Sequence, residues 1–222
     1  LGIIFRSMQD YNVPLSIHLE EPGYPDEEAE IEALYRLEKL HRHYPRLKIV
    51  MEHISTRAGI ELVKQMPENV VGTLAIQHAL LTTEEARSNP HLLCKPIAKT
   101  LDDQEAVIGA ALSGNPKFFM GDDTAGHDRA LKEQVDITKR PSGIWNAPTA
   151  FPSWVKLFEV RGATIGQLQF FASEAGAIFY GLHLNEETLR MAIKPWLVPE
   201  SYGNGLVVPL HAGREMQWQA VK

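Results

Sequence analysis

The feature that most constrains the fold is a set of four short apolar runs separated by stretches with helical character. The runs are Val13 to Leu19, Leu47 to His53, Val70 to Ile76 and Phe118 to Asp122. Unbroken apolar runs of this length suit strands buried on both faces, as in parallel sheets covered by helices. Between the first two, Glu27 to His43 sets Ile31, Leu34, Leu37 and Leu40 at helical spacing, with acids at its start. Ser55 or Thr56 is placed to cap a helix running to Met66, and Leu101 to Ser113 reads as another with Asp102 and Asp103 in its first turn. Leu1 to Tyr11 reads as the later part of an amphipathic helix with no cap before it.

Strands alternating with helices predict an α/β class with a parallel sheet. A complete (β/α)8 barrel takes about 250 residues. Four such units in 222 residues predict the C-terminal half of a TIM (β/α)8 barrel, with the other units expected upstream. Beyond Asp123 the expectation is loops and C-terminal helices. Residues 1–222 are expected to form one domain, because no Gly- or Ser-rich linker divides them.

Charge and cysteine narrow the function classes. The net charge of −6 and the lack of a basic run argue against a nucleic-acid partner. No apolar stretch approaches the roughly 18 residues of a membrane span, so no membrane partner is expected. The single cysteine, Cys94, has no internal disulfide partner. That fits a cytoplasmic setting, and a small buried side chain is the better reading of it than a nucleophile.

His18, His53 and Asp123 end or follow three of the apolar runs. Active sites of parallel barrels lie at the carboxyl ends of strands. Neutral imidazole suits Zn²⁺, and a carboxylate nearby can ligate the metal and take a proton from bound water. Either histidine alone is explained as well by hydrogen bonding that caps a loop; the three at matching strand ends point to a metal centre. Asp122 and Asp123 alternate in facing, and the sequence leaves open which one faces the centre. His127 is placed to bind an anionic group or to be a surface histidine. His41 and His43 fall at the opposite rim, His78 suits a supporting role, and His183 and His211 show no partner. No phosphate loop or nucleophile elbow is present.

Several stretches together carry a resemblance. They are Pro14-Leu15-Ser16-Ile17-His18, Met51-Glu52-His53-Ile54-Ser55-Thr56, Asn89-Pro90-His91-Leu92-Leu93-Cys94-Lys95-Pro96, Gly121-Asp122-Asp123-Thr124-Ala125-Gly126-His127, Asn146-Ala147-Pro148-Thr149-Ala150 and Leu210-His211-Ala212-Gly213-Arg214-Glu215. The chain resembles the single-function dihydroorotases of the amidohydrolase superfamily. The resemblance implies zinc-dependent interconversion of N-carbamoyl-aspartate and dihydroorotate in pyrimidine synthesis, and it suggests a homodimer. It implies His18, His53 and Asp123 as zinc ligands, with His18 also near substrate and Asp123 as general acid and base. It implies His127 as the holder of the substrate carboxylate, with the backbone at Leu92 and Ser142 positioning the ring.

Two departures stand out. Asp122 replaces a hydroxyl residue of the family motif and is expected to raise the pKa of its neighbour; Gly126 replaces a proline and is expected to loosen the loop of His127. The family's two-zinc site also uses a His-x-His pair, an arginine and a carboxylated lysine that have no counterpart here, so the isolated chain is expected to be inactive. The alternatives are another cyclic amidohydrolase, such as a hydantoinase-like enzyme, and a non-catalytic homologue that stabilises a partner.

Overall fold

The computed structural model describes residues 1–221. The chain opens with α1 (Gly2–Asp10), then runs β1 (Leu15–Ile17), α2 (Ala29–His43), β2 (Ile49–Met51), α3 (Arg57–Gln65), β3 (Val70–Leu74), α4 (Ile76–Leu80), α5 (Thr83–Ser88), α6 (Leu101–Leu112) and β4 (Phe118–Met120). It continues through α7 (Arg129–Lys132), α8 (Ala150–Val160), α9 (Ile165–Gln169), α10 (Ala175–Tyr180), β5 (Arg190–Leu197) and β6 (Glu215–Val221). A 3-10 turn covers Pro90–Leu92, and a π-helical turn, Phe170–Glu174, joins α9 to α10.

The four strands β1 to β4 lie side by side in chain order, all parallel. Leu15 stands opposite Ile49, Ile49 opposite Val70, and Gly72 opposite Phe118. This register brings the carboxyl ends of all four strands to one rim. Two of the helices that flank the strands, α3 and α6, begin where side chains satisfy their free amides. Thr56 accepts from the Gly59 amide to cap α3, and Thr100 and Asp103 form a reciprocal capping box at the start of α6.

Successive strand residues face opposite sides. Ile49 and Met51 join Ala33 and Leu37 of α2 and Ile60 and Val63 of α3 in the main core. Burying one such aliphatic side chain stabilises the fold by about 1.5–3 kcal/mol. Val50, Val71 and Phe119 point the other way and pack with Ala175, Phe170 and Phe179. The Phe119 ring meets Phe179 at 6.1 Å and Tyr180 at 5.9 Å between centroids, so α10 and the turn before it cover the sheet's second face. Gly72 leaves room for Ile54: a Cβ there would lie 2.3 Å from Ile54 Cδ1, so a side chain at this position would force Ile54 to move.

The structure departs from the sequence reading in three places. The strands are shorter than their apolar runs, and Ile76 already belongs to α4. Asp122 and Asp123 lie beyond the end of β4, so strand alternation does not decide their facing. Finally, β5 and β6 form an antiparallel pair where only loops and helices were expected. β6 alternates Met216, Trp218 and Ala220 with polar residues, the pattern of a half-buried strand. Pro195 interrupts β5 at a register shift between Ile193 and Trp196, which hides the strand from a pattern search. Among the described residues no helix is long and apolar enough to cross a membrane.

Candidate metal centre

β1 and β2 deliver His18 and His53 to the same rim. The Glu52 amide donates to the Ile17 carbonyl at 3.0 Å, which extends the ladder one step past the strands. The chain then turns sharply at His53, whose φ is +41°. A left-handed backbone costs a non-glycine residue about 1–2 kcal/mol. Local bonds offset this: the His53 amide donates to Thr73 Oγ1 at 2.7 Å, and the Thr73 hydroxyl donates to Glu52 Oε2 at 2.6 Å. The loop beyond is held by Glu30 of α2. Its buried carboxylate accepts from the amides of Ser55 and Thr56 at 2.9 and 3.0 Å and from both hydroxyls at 2.5 Å. Burial pushes the Glu30 carboxyl up, and the Ser55 and Thr56 donors pull it back down.

The turn aims His53 Nε2 at His18 Nδ1, 3.2 Å away. The outer nitrogen of His18, Nε2, lies 2.7 Å from Glu20 Oε2. A carboxylate on the outer nitrogen fixes that nitrogen as the donor and turns the lone pair of Nδ1 toward His53. Burial, then the neighbouring His18, pushes His53 down to about 4, so its ring is neutral near pH 7. His53 Nδ1 is buried with no hydrogen-bond partner among the described residues.

These features fit a metal. Two nitrogens bound to one tetrahedral zinc at about 2.0–2.1 Å stand roughly 3.3–3.4 Å apart, close to the separation found. Two imidazoles, one with a carboxylate behind it, are the expected donor chemistry. The third candidate is not drawn in to the same degree. No group of three or more His, Cys, Asp or Glu side chains among the described residues is arranged to hold an ion. Asp123 is instead engaged by Gln77, whose Nε2 donates to Oδ2 at 3.1 Å.

Asp123 also has a left-handed backbone, with φ +45°. Burial pushes its carboxyl up, while His18 and Gln77 pull it down. The expected effect of the adjacent acid falls mainly on Asp122, which is raised first by burial and then by Asp123.

Two loops flank this rim. His127 Nε2 lies 2.9 Å from the Ser142 carbonyl, and the Gly143 amide donates to the Leu93 carbonyl at 2.8 Å. The Leu92 amide is taken up by Asn89 at 2.9 Å within the 3-10 turn. The buried Lys132 ammonium joins the two loops, donating to the carbonyls of Leu93 at 3.0 Å, Pro141 at 3.1 Å and Gly143 at 2.7 Å. Neither Glu30 nor Lys132 carries a sequence signal, since each acts on residues far along the chain. Glu20 did carry one: two residues beyond His18, it projects to the same side of an extended chain.

Of the other residues singled out, His78 and His211 have structural partners. His78 Nε2 donates to the Pro96 carbonyl at 2.9 Å, and burial pushes its pKa down to about 3. Cys94 is fully buried, and its thiol is pushed up to about 12. His211, which the sequence left without a partner, pairs with Ser153 Oγ at 3.2 Å. A groove of about 450 Å³ between α8 and β6, lined by Ser153, Lys156, His211 and Trp218 among others, contains none of the strand-end residues.

Strand-end imidazoles on four parallel strands flanked by helices are the arrangement of part of an amidohydrolase-type barrel, and solved structures agree. A dihydroorotase from Campylobacter jejuni superposes with a TM-score of 0.88 at 35% identity, covering 99% of this chain and 64% of that one. A dihydroorotase from Saccharomyces cerevisiae, in complex with 5-fluoroorotic acid, gives 0.90 at 30% identity, covering 98% and 65%. An L-hydantoinase from Arthrobacter aurescens gives 0.81 at 17% identity over 99% of this chain and 57% of that one, a likeness of fold alone. No family model matches the chain. Among curated proteins, a dihydroorotase of Coxiella burnetii is 40% identical over 224 residues, which is 97% of this chain and 63% of that protein. The chain is similar to dihydroorotases along almost its whole length, and it spans about 63% of the length of that relative.

Proposed function

We propose that this chain contributes the His18, His53 and Asp123 side of a zinc site to a dihydroorotase that interconverts dihydroorotate and N-carbamoyl-aspartate in pyrimidine synthesis. The observation that carries the reading is the pair of imidazole nitrogens 3.2 Å apart at the ends of adjacent parallel strands. Zinc bound there supplies a Lewis acid for the amide carbonyl and lowers the pKa of water; the complete family site holds two such ions.

The chain's own residues have the following roles. His18 Nδ1 and His53 Nε2 bind the ion, and Glu20 keeps His18 in the required tautomer. His127 holds the substrate carboxylate, and the backbone at Leu92 and Ser142 positions the ring. In ring opening, water adds to the cyclic amide carbonyl and the carbon–nitrogen bond breaks. Asp123 takes a proton from the attacking water and passes it to the departing nitrogen. In ring closure the carbamoyl nitrogen attacks the carboxyl carbon, and Asp123 returns that proton as water leaves. The three candidate ligands serve one ion, so slow or absent turnover is expected of the chain on its own. A cytoplasmic setting, supported by the unpaired buried Cys94, and a homodimer complete the reading.

The test is calorimetric titration of the zinc-loaded chain with dihydroorotate and with hydantoin, which lacks the carboxylate. Dihydroorotate is expected to bind more tightly, and His127→Ala to weaken it about tenfold or more while leaving hydantoin unchanged. Equal affinity for the two ligands, or no effect of His127→Ala, overturns the assignment in favour of a hydantoinase-like site.

A further inference from the structure

Behind Asp123 lies a chain of two fully buried side-chain amides that the proposed reaction does not use directly. Gln77 and Asn146 are both 0% exposed. Asn146 Nδ2 donates to the Asp122 carbonyl at 2.9 Å and to Gln77 Oε1 at 2.9 Å. Gln77 Nε2 donates to Asp123 Oδ2 at 3.1 Å. Asn146 is itself fixed by its own backbone, because its amide and that of Ala147 both donate to Thr124 Oγ1 at 3.1 Å.

The direction of this chain is forced. A side-chain amide is a donor at one end and an acceptor at the other, and its orientation follows from its partners. The Asp122 carbonyl can only accept, so Asn146 must turn Nδ2 toward it. The same nitrogen then reaches Gln77, which must answer with Oε1. That leaves Gln77 Nε2 facing the carboxylate.

We propose that Asn146 and Gln77 are positioning residues for Asp123: an oriented amide relay that locks Oδ2 as a hydrogen-bond acceptor and leaves Oδ1 to face the site. The inference deepens the proposed function and rests on the role given there to Asp123. It explains why two buried amides from distant segments converge on one acid. It also explains how a carboxyl group on a left-handed turn outside any strand holds one orientation. Asn146 Nδ2 and Gln77 Nε2 each meet an acceptor only in this sense, while Asn146 Oδ1 is buried without a partner among the described residues. Reversing one member reverses the next. A flipped Gln77 would set Oε1 against Asp123 Oδ2, oxygen against oxygen.

The decisive experiment reads the Gln77 side-chain amide in the ¹⁵N-labelled chain by NMR. The wild type is expected to show one Gln77 NH₂ pair with slowed solvent exchange, and Asp123→Ala to shift that pair. Asn146→Asp, which removes the donor that orients Gln77, is expected to shift the pair and speed its exchange although it does not touch Asp123. Asn146→Leu serves where a buried acid prevents folding; it is expected to give two Gln77 conformers. Unchanged Gln77 signals in a folded Asn146 variant, or no slowed pair in the wild type, overturn the relay. Co²⁺ titration is the functional arm. Supporting polar residues behind metal ligands are worth about 10- to 100-fold in affinity. A loss of that size is expected for the Asn146 variants, and for Gln77→Met with or without them, with no further loss in the double variant. Additive losses also overturn the relay. Failure of the wild type to bind Co²⁺ at all counts against the proposed function and not against the relay, which the NMR signals decide by themselves.

Discussion

The inner ring nitrogens of His18 and His53 face one another at 3.2 Å, from strand ends 35 residues apart in the chain. Two bare lone pairs at that distance repel, so without an ion one nitrogen must carry a proton toward the other. A cation replaces that proton and satisfies both.

Metal therefore stabilises the folded chain. Zn²⁺ at a hundredfold excess over its Kd is expected to add about 2.7 kcal/mol, seen as a rise in melting temperature. His53→Ala is expected to abolish the rise. A full zinc-induced shift in His53→Ala would show that the ion binds elsewhere.

Glu30 holds the loop that follows His53. Glu30→Ala leaves two amides and two hydroxyls of Ser55 and Thr56 without their buried acceptor. Each such orphan costs about 1–3 kcal/mol, and with partial relaxation a loss of roughly 3 kcal/mol or more is expected in urea unfolding. A loss under about 1 kcal/mol would mean that the carboxylate is not the anchor of this loop.

Acid destabilises the metal-free chain through its buried imidazoles. His78 has a folded pKa of about 3 against the usual 6.5, and His53 one of about 4. Between pH 6.5 and 3 the unfolded state binds protons that the folded state refuses, so stability is full above 6.5 and falls as pH drops. One such group contributes a slope of up to about 1.4 kcal/mol per pH unit. Denaturant unfolding across this range is expected to show the fall, with a shallower slope in His78→Gln. Equal slopes in the two proteins would contradict a neutral buried His78.

Gly143 keeps His127 in place. Its φ of +145° disfavours any side chain, and a Cβ there would lie 2.8 Å from His127 Nε2 and 2.5 Å from the Ala125 Cβ. Gly143→Ala is expected to displace His127 and weaken dihydroorotate binding about tenfold or more in calorimetry, with zinc affinity unchanged. Retention of wild-type affinity would separate His127 from the ligand.

The sequence was most informative where the physics is local. Apolar runs marked β1 to β4, the spacing of Ile31, Leu34, Leu37 and Leu40 marked α2, and Ser55 or Thr56 marked the start of α3, the structure choosing Thr56. His18, His53 and Asp123 stood out because each falls where such a run ends. The strand β5 was missed because a proline and a register shift break its alternation, whereas the alternation of β6 was legible and its partner was not.

By itself, then, the sequence determined the parallel α/β order and the residues that reach the rim, since both follow from periodicity along the chain. Only the tertiary structure decided how those residues are held. Glu30 reaches Ser55 and Thr56, Asn146 reaches Gln77, and Lys132 reaches three carbonyls on two loops. Each contact joins segments whose separation along the chain carries no record of their distance in space. The left-handed turns at His53 and Asp123 belong to the same class: Asp and His tolerate that backbone better than most side chains, but their buried partners select it.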